Sequence, residues 1–382
     1  MFYNQKYRNV FFQICLIASI FGLAYWLVDN TRANLAQIGL DIGFDFWNQP
    51  AGFDIAFTLI DYNSATSTYS RVFFIGVLNT LFVSMLGIVA ATSLGFVIAF
   101  LSLTQNLLAR KIAGFYVEIF RNTPLLVQCV FWYFGVITAL PSVRNSLNIW
   151  DISFINQRGM YFPKPLFSDI IYVVLIVALC CVAAAIILSW LNNKRQIKTG
   201  KRLPIFWINS AIMIMIPASL AWSLGLTVSW DIPVLQGFNF RGGILFPPEL
   251  MALFLALTMY TSAYIAEIVR SGFLSVDFGQ TEAAKALGLR QGFINKLIII
   301  PQALRVIIPP LTNQYLNLIK NSSLAVAIGY PDLVSVFTGT TLNQTGRAIE
   351  IVLITMLFYL FVSLVISMLM NWYNRRQALV ER

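Results

Sequence analysis

Residues 275–301 read S-V-D-F-G-Q-T-E-A-A-K-A-L-G-L-R-Q-G-F-I-N-K-L-I-I-I-P. Asp277 is placed to cap a short helix, with Gln280 three residues later as its reciprocal partner, and Gly288 to end that helix in a left-handed conformation. About ten helical residues would make a rod about 15 Å long. Its middle holds Ala283, Ala284 and Ala286, small side chains that let another backbone approach closely, with Glu282, Lys285 and Arg290 around them. Such a rod suits a groove in a partner, but composition alone favours an ordinary surface helix between two spans.

On both sides of this segment the chain turns strongly apolar. Of its 382 residues 58% are hydrophobic and only 11% charged, with a mean hydropathy of +0.74, whereas a soluble domain carries about a quarter charged residues. A bilayer is the natural solvent for such a chain. Apolar runs near the 20 residues that a crossing needs predict about eight spans, at 11–28, 73–103, 112–140, 170–191, 204–226, 250–273, 298–328 and 348–372. The first has basic flanks but no A-x-A-like cleavage site followed by a soluble domain, which predicts a retained helix rather than a signal peptide. The runs 73–103 and 298–328 exceed the hydrocarbon thickness and must tilt, kink or project. In the latter, Pro301, Pro309 and Pro310 predict a break, with the spanning helix starting near Pro309 or slightly before it.

The basic residues predict orientation. With Lys6 and Arg8 in the cytoplasm, the same side receives Arg110 and Lys111, then Lys194, Arg195, Lys198, Lys201 and Arg202, then Arg270, Lys285, Arg290 and Lys296, and finally Arg375, Arg376 and Arg382. That is roughly 16 against roughly 7 on the other side, as the positive-inside rule expects. Both termini then face the cytoplasm. The net charge of +10 is therefore assigned to membrane orientation and not to a nucleic-acid partner. The acidic stretch 29–71, with Asp41, Asp45, Asp54 and Asp61, and the stretches 141–168 and 227–248, rich in turn residues, read as external loops.

Several classes are excluded. The chain has no histidine, which removes the usual general base, the Ser-His-Asp and Cys-His arrangements and the commonest transition-metal ligand. Cys15, Cys129, Cys180 and Cys181 all lie in apolar runs and read as small hydrophobes, so no metal site and no cofactor is expected. There is no G-x-x-x-x-G-K-S/T phosphate loop, so this chain cannot hydrolyse ATP itself. An ion-coupled secondary transporter would need a charge relay at mid-membrane, which the later spans are too poor in Asp and Glu to suggest, and no convincing internal repeat is visible.

Glu282-Ala283-Ala284, then Gly288, then Ile298 and Ile300-Pro301 resemble the EAA loop of permease subunits of bacterial binding-protein-dependent ABC importers, departing from it only by Ile300 where Leu is usual. Two further segments, Y-V-E-I-F-R-N-T-P-L-L-V-Q at 116–128 and P-Q-A-L-R-V-I-I-P-P-L-T-N-Q-Y-L-N-L-I-K-N-S-S-L at 301–324, look like the polar amino acid branch of that family, and the whole is similar to its general L-amino acid permeases. The resemblance implies an all-α membrane protein of the type I importer class, with a five-helix core. Residues 1–70 would be a leading helix and external loop, 71–372 the permease domain with a two-helix insertion at about 165–230, and 373–382 a cytoplasmic tail. It implies a transport subunit of the bacterial inner membrane, not an enzyme, that forms the path for L-amino acids. Glu282, Ala283, Ala284 and Gly288 would dock on a separate ATP-binding subunit. A second permease, making a heterodimer, and a periplasmic amino-acid-binding protein would complete the importer.

Ionisable groups inside or beside spans are costly and point to function. Glu118 could meet the ammonium of an amino acid and Lys320 its carboxylate, with Asn321, Ser322 and Ser323 offering neutral hydrogen bonds. Glu118 and Arg121, three apart on one helix face, equally fit a mutual pair near the end of their span, and Lys320 equally fits a side chain reaching the membrane interface.

Overall fold

The computed structural model describes residues 5–37, 43–200 and 203–377; of the loop charges above, Asp41, Lys201, Arg202 and Arg382 lie outside them. In chain order the helices are α1 (Gln5–Gln37), α2 (Tyr69–Leu103), α3 (Leu107–Asn122), α4 (Leu125–Val130), α5 (Ile170–Thr199), α6 (Ile205–Ser223), α7 (Pro248–Leu274), α8 (Phe278–Ala286), α9 (Gln291–Ile294), α10 (Ile300–Asn321), α11 (Leu342–Thr345) and α12 (Ala348–Gln377). Among the described residues, seven helical stretches are long and apolar enough to cross a membrane, and Leu125–Ile137 is a shorter apolar one. The chain divides into two compact units, Met1–Thr138 with Pro248–Arg382, and Ala139–Pro247.

The first unit is built on α2 and α7. Gly76, Gly87, Ala91, Gly95 and Ala99 give α2 a face of small residues, all buried, which lets helices approach closely where hydrocarbon provides no hydrophobic drive. A Cβ added at Gly95 would stand 2.7 Å from Ile265 Cγ2 of α7. Opposite such seams, large apolar side chains stay exposed: Met85 and Val89 on α2, and Phe361 and Met368 on α12. In water this would be an aggregation surface; in a bilayer it is the solvated one.

The run 112–140 is not one helix. Pro124 has no N–H to give and drives the preceding residue out of the helical region, so α3 stops and Thr123 is extended at φ −95°, ψ 127°. The chain then resumes as α4 and a wide π-type turn through Ile137. Buried Gln128 donates Nε2 to the carbonyls of Phe120 (3.0 Å) and Thr123 (3.0 Å), acceptors that the break sets free.

The expected break near Pro309 is absent. Both Pro309 and Pro310 lie inside α10, which follows α9 through a π turn at Asn295–Ile299. Its neighbours α7 and α12 hold it on course, as happens in membrane bundles. The interruption comes one helix length later, where Ser322–Ile328 tighten into a 3-10 turn that ends at Gly329 in the left-handed region, φ 79°.

The stretch read as an external loop before α2 is partly a packed cap. Phe46 and Ala51 are buried against Tyr69, Val72, Val336 and Phe337, and Asn79 Nδ2 donates to the carbonyl of Phe57 (2.9 Å).

The second unit contains strands where loops are expected: β1 (Leu147–Ile149), β2 (Ser153–Asn156), β3 (Gly159–Phe162), β4 (Lys164–Phe167), β5 (Val228–Asp231), β6 (Val234–Gln236), β7 (Asn239–Arg241) and β8 (Ile244–Phe246). They form an antiparallel sheet of order β1-β2-β3-β8 and the two-stranded pairs β4-β5 and β6-β7. Each strand has only three or four residues, too few for an alternating pattern to stand out in the sequence. Lys164 lies opposite Asp231 and Phe167 opposite Val228, so the segments before α5 and after α6 are zipped to each other around that helical pair.

Candidate functional site

Three places carry the residues of interest. The first is α8. The Asp277 carboxylate accepts from the Gly279 N–H at 2.7 Å, and the Gln280 N–H closes on the Asp277 carbonyl at 3.1 Å. Gly288, at φ 76°, ends the helix: its N–H bonds the Lys285 carbonyl (2.9 Å) and the Leu289 N–H bonds that of Ala284 (3.2 Å). The helix is nine residues long. Glu282, Ala283 and Gly288 are exposed, whereas the Ala284 side chain is buried. Two residues that the sequence did not single out flank them: Leu287 is 79% and Phe278 69% exposed. Large apolar side chains uncovered on so short a helix mark a contact surface. Their signal in the sequence is weak, because apolar residues between two spans look like extensions of those spans.

The second place is a cavity of about 350 Å³ lined by Arg110, Glu118 and Arg121 from α3 and by Glu267 and Arg270 from α7. Here the ion pair is Arg270–Glu267 at 2.8 Å; among the described residues Glu118 and Arg121 form none. Arg121 instead holds its guanidinium 5.2 Å from the centre of the Tyr264 ring. The Tyr116 hydroxyl, 2.8 Å from Ser262 Oγ and donating to the Met259 carbonyl at 3.1 Å, fastens α3 to α7. Leu108, Ile112, Phe115 and Ile119 remain exposed on the other side of α3. The helix thus turns charge inward and hydrocarbon outward, an arrangement that only a lipid surround or a further chain makes stable.

The third place is a cavity of about 460 Å³ bounded by Lys320, Ser323, Thr338, Thr355 and Tyr359 with Val334, Val352 and Met356. Ser322 is buried and donates to the Ile319 carbonyl (2.7 Å), while Ser323 donates to that of Lys320 (2.7 Å). Asn321 closes α10.

The structure therefore brings Glu118 to Arg121 and Lys320 to Ser323, but not the two groups to each other. Ser102 of α2 lines the charged cavity, whereas Leu318, two residues before Lys320, meets α2 at Gly87, 3.4 Å from where its Cβ would be. The helix between those levels rises about 22 Å. The ammonium and carboxylate of one amino acid, a few ångströms apart, cannot span it.

Known proteins place the chain in a family. The profile described as "Binding-protein-dependent transport system inner membrane component" matches residues 86–379. The chain is 49% identical over 381 residues to the putative amino-acid ABC transporter permease protein YhdX of Escherichia coli strain K12, covering 100% of this chain and 97% of that protein. It is 46% identical to the general L-amino acid transport system permease protein AapQ of Rhizobium johnstonii, covering 100% and 94%. It is 40% identical to the glutamate/glutamine/aspartate/asparagine transport system permease protein BztB of Rhodobacter capsulatus, covering 100% and 96%. With the profile spanning most of the chain and relatives aligned along its whole length, the chain belongs to the family of inner-membrane components of binding-protein-dependent transport systems.

Proposed function

We propose that this membrane component is the permease of an ATP-driven importer of L-amino acids, and that α8 receives the stroke of a separate ATP-hydrolysing subunit. The observation that carries the coupling role is the capped helix α8, with Glu282 and Ala283 exposed on one short rod and Leu287 and Gly288 exposed at its C-terminal cap. Ala284 packs behind them and holds the rod in place. The amino acid cargo is supported by the roles that the full-length relatives are named for.

In this reading α8 and both termini face the cytoplasm, following the basic-residue bias. A soluble binding protein delivers the substrate at the opposite face, and a second, related permease pairs with this one. The core comprises 71–372 with its insertion at about 165–230, preceded by the segment 1–70 and followed by the tail 373–382. Glu118 and Arg121 would line the path near the cytoplasmic end, and Lys320 to Ser323 a level about 20 Å away.

The test is replacement of Glu282 by Lys and of Ala283 by Trp, both at exposed positions. We expect the ATPase subunit to co-purify at least about tenfold less with either variant, with amino acid uptake falling in parallel and helical content unchanged. Full association and full uptake in both variants would overturn the assignment of α8.

A further inference from the structure

Helices α5 and α6 pack on each other, and α6 buries none of its residues. Aromatic side chains mark where the pair leaves hydrocarbon. On α5, Tyr172 and Trp190 are exposed and lie about 27 Å apart along the helix. On α6, Trp207 and Trp222 are exposed and lie about 23 Å apart. Two such belts bracket a hydrocarbon layer about 30 Å thick. Helix α5 does not stop at Trp190 but runs on to Thr199, which carries Lys194 about 6 Å and Lys198 about 12 Å past the belt, through the headgroup layer.

Lys194, Arg195 and Lys198 are neighbours on one face of that extension, and all three are exposed. From Ile170 to Ser223 the sequence holds no Asp or Glu, so the helical pair offers them no counter-charge. Among the described residues none of the three is in an ion pair. Lys194 Nζ lies 3.6 Å from the centre of the Trp190 ring, drawn back toward the belt by the face of the indole. The dipole of α5 opposes an anion only in the last turn and with about half a charge, which three cations outweigh. A second observation comes from a buried side chain. Asn192, three residues before Arg195, is 4% exposed. Its Oδ1 accepts from the Leu203 N–H at 3.3 Å, tying the end of α5 to the chain that enters α6, whereas its Nδ2 has no acceptor among the described residues. A buried donor left unpaired is costly. The group that would satisfy it is an acceptor, and the cations beside it require that acceptor to be negative. A phosphate diester is both.

We propose that the end of α5 binds the phosphate diester of an anionic phospholipid, with Lys194, Arg195 and Lys198 holding its charge and Asn192 Nδ2 donating to one of its oxygens. The acyl chains lie along the exposed apolar sides of α5 and α6. Depth selects a lipid over a soluble anion, because Trp190 and Leu191 set apolar surface directly beneath the cations. Charge selects among lipids: a headgroup with its own ammonium is repelled by the three cations, and one without it, such as that of phosphatidylglycerol, is favoured.

The experiment uses the permease assembled with its partner subunits in mixed micelles, titrated with phosphatidylglycerol or phosphatidylcholine while bound lipids are counted by native mass spectrometry. One phosphatidylglycerol is expected to bind at least about tenfold more tightly than phosphatidylcholine. Lys194→Gln, Arg195→Gln and Lys198→Gln together, all at exposed positions, should abolish that preference. Asn192→Leu leaves every charge in place and should weaken the bound phosphatidylglycerol by about tenfold, which a diffuse surface potential would not do. Arg110→Gln with Lys111→Gln on α3 removes charge elsewhere and should leave the preference within about twofold. A preference that survives the triple variant, unchanged binding in Asn192→Leu, or an equal loss in the α3 control would each overturn the site. Should Asn192→Leu fail to assemble, the triple variant and the α3 control decide between them. Displacement of the lipid by millimolar inorganic phosphate would assign the cations to a soluble anion and overturn the lipid. Loss of the ATPase subunit from the triple variant with the lipid preference intact would assign this face to that partner and overturn it as well.

Discussion

Gln128 shows how a single side chain carries a structural decision. Pro124 interrupts the backbone ladder inside an apolar span, and the amide of Gln128 closes on two of the carbonyls thereby released. Replacing Gln128 by Leu leaves both without that donor in a buried setting, at about 1–3 kcal/mol for each. We expect the thermal midpoint of the purified permease to fall by several degrees; a variant as stable as its parent would show that the break is held otherwise. The sequence displays Pro124 openly, but not the partner of its freed carbonyls. The same is true of Glu118 and Arg121: their spacing fits a mutual pair, yet Glu267 and Arg270, brought in by α7, take the ion pair and Tyr264 takes the face of the guanidinium.

At the scale of elements, the seam between α2 and α7 depends on the absence of side chains. At Gly95 a Cβ would also stand 3.0 Å from the Ser262 carbonyl oxygen, so neither side can yield without moving backbone. Gly95→Val should overpack this seam by about 1–3 kcal/mol, read as a lower midpoint and less folded protein extracted from membranes. Gly114→Ala, where a Cβ meets nothing within 4 Å, should leave both unchanged. Equal damage from the two would mean that close approach is not what Gly95 provides. Helix α8 is legible in the sequence, because Asp277 and Gly288 act on their own backbone neighbourhood. The course of α10 is not: Pro309 and Pro310 look like a break, and only the packing of α7 and α12 along that helix carries it through.

For the molecule as a whole, the basic residues predict which ends of the helices share a compartment. In a cysteine-free background, Leu287→Cys at the end of α8 should react with a membrane-impermeant maleimide only in inverted vesicles. Leu235→Cys in β6 should react only in right-side-out ones. Labelling of both from the same side would contradict the orientation, since the single crossing by α7 separates them.

Length, hydropathy and charge determined from the sequence alone that the chain crosses a membrane several times, because a backbone in hydrocarbon must satisfy itself within each apolar run. The same holds for α8, whose caps and small residues are local properties and whose spacing matched a known family. What the tertiary structure decided is which polar groups share a cavity. Asn79 and Thr80 of α2 meet the Pro331 carbonyl and the Leu333 N–H. Those contacts join segments some 250 residues apart. Such neighbours follow from how whole helices pack, which no local pattern of residues records.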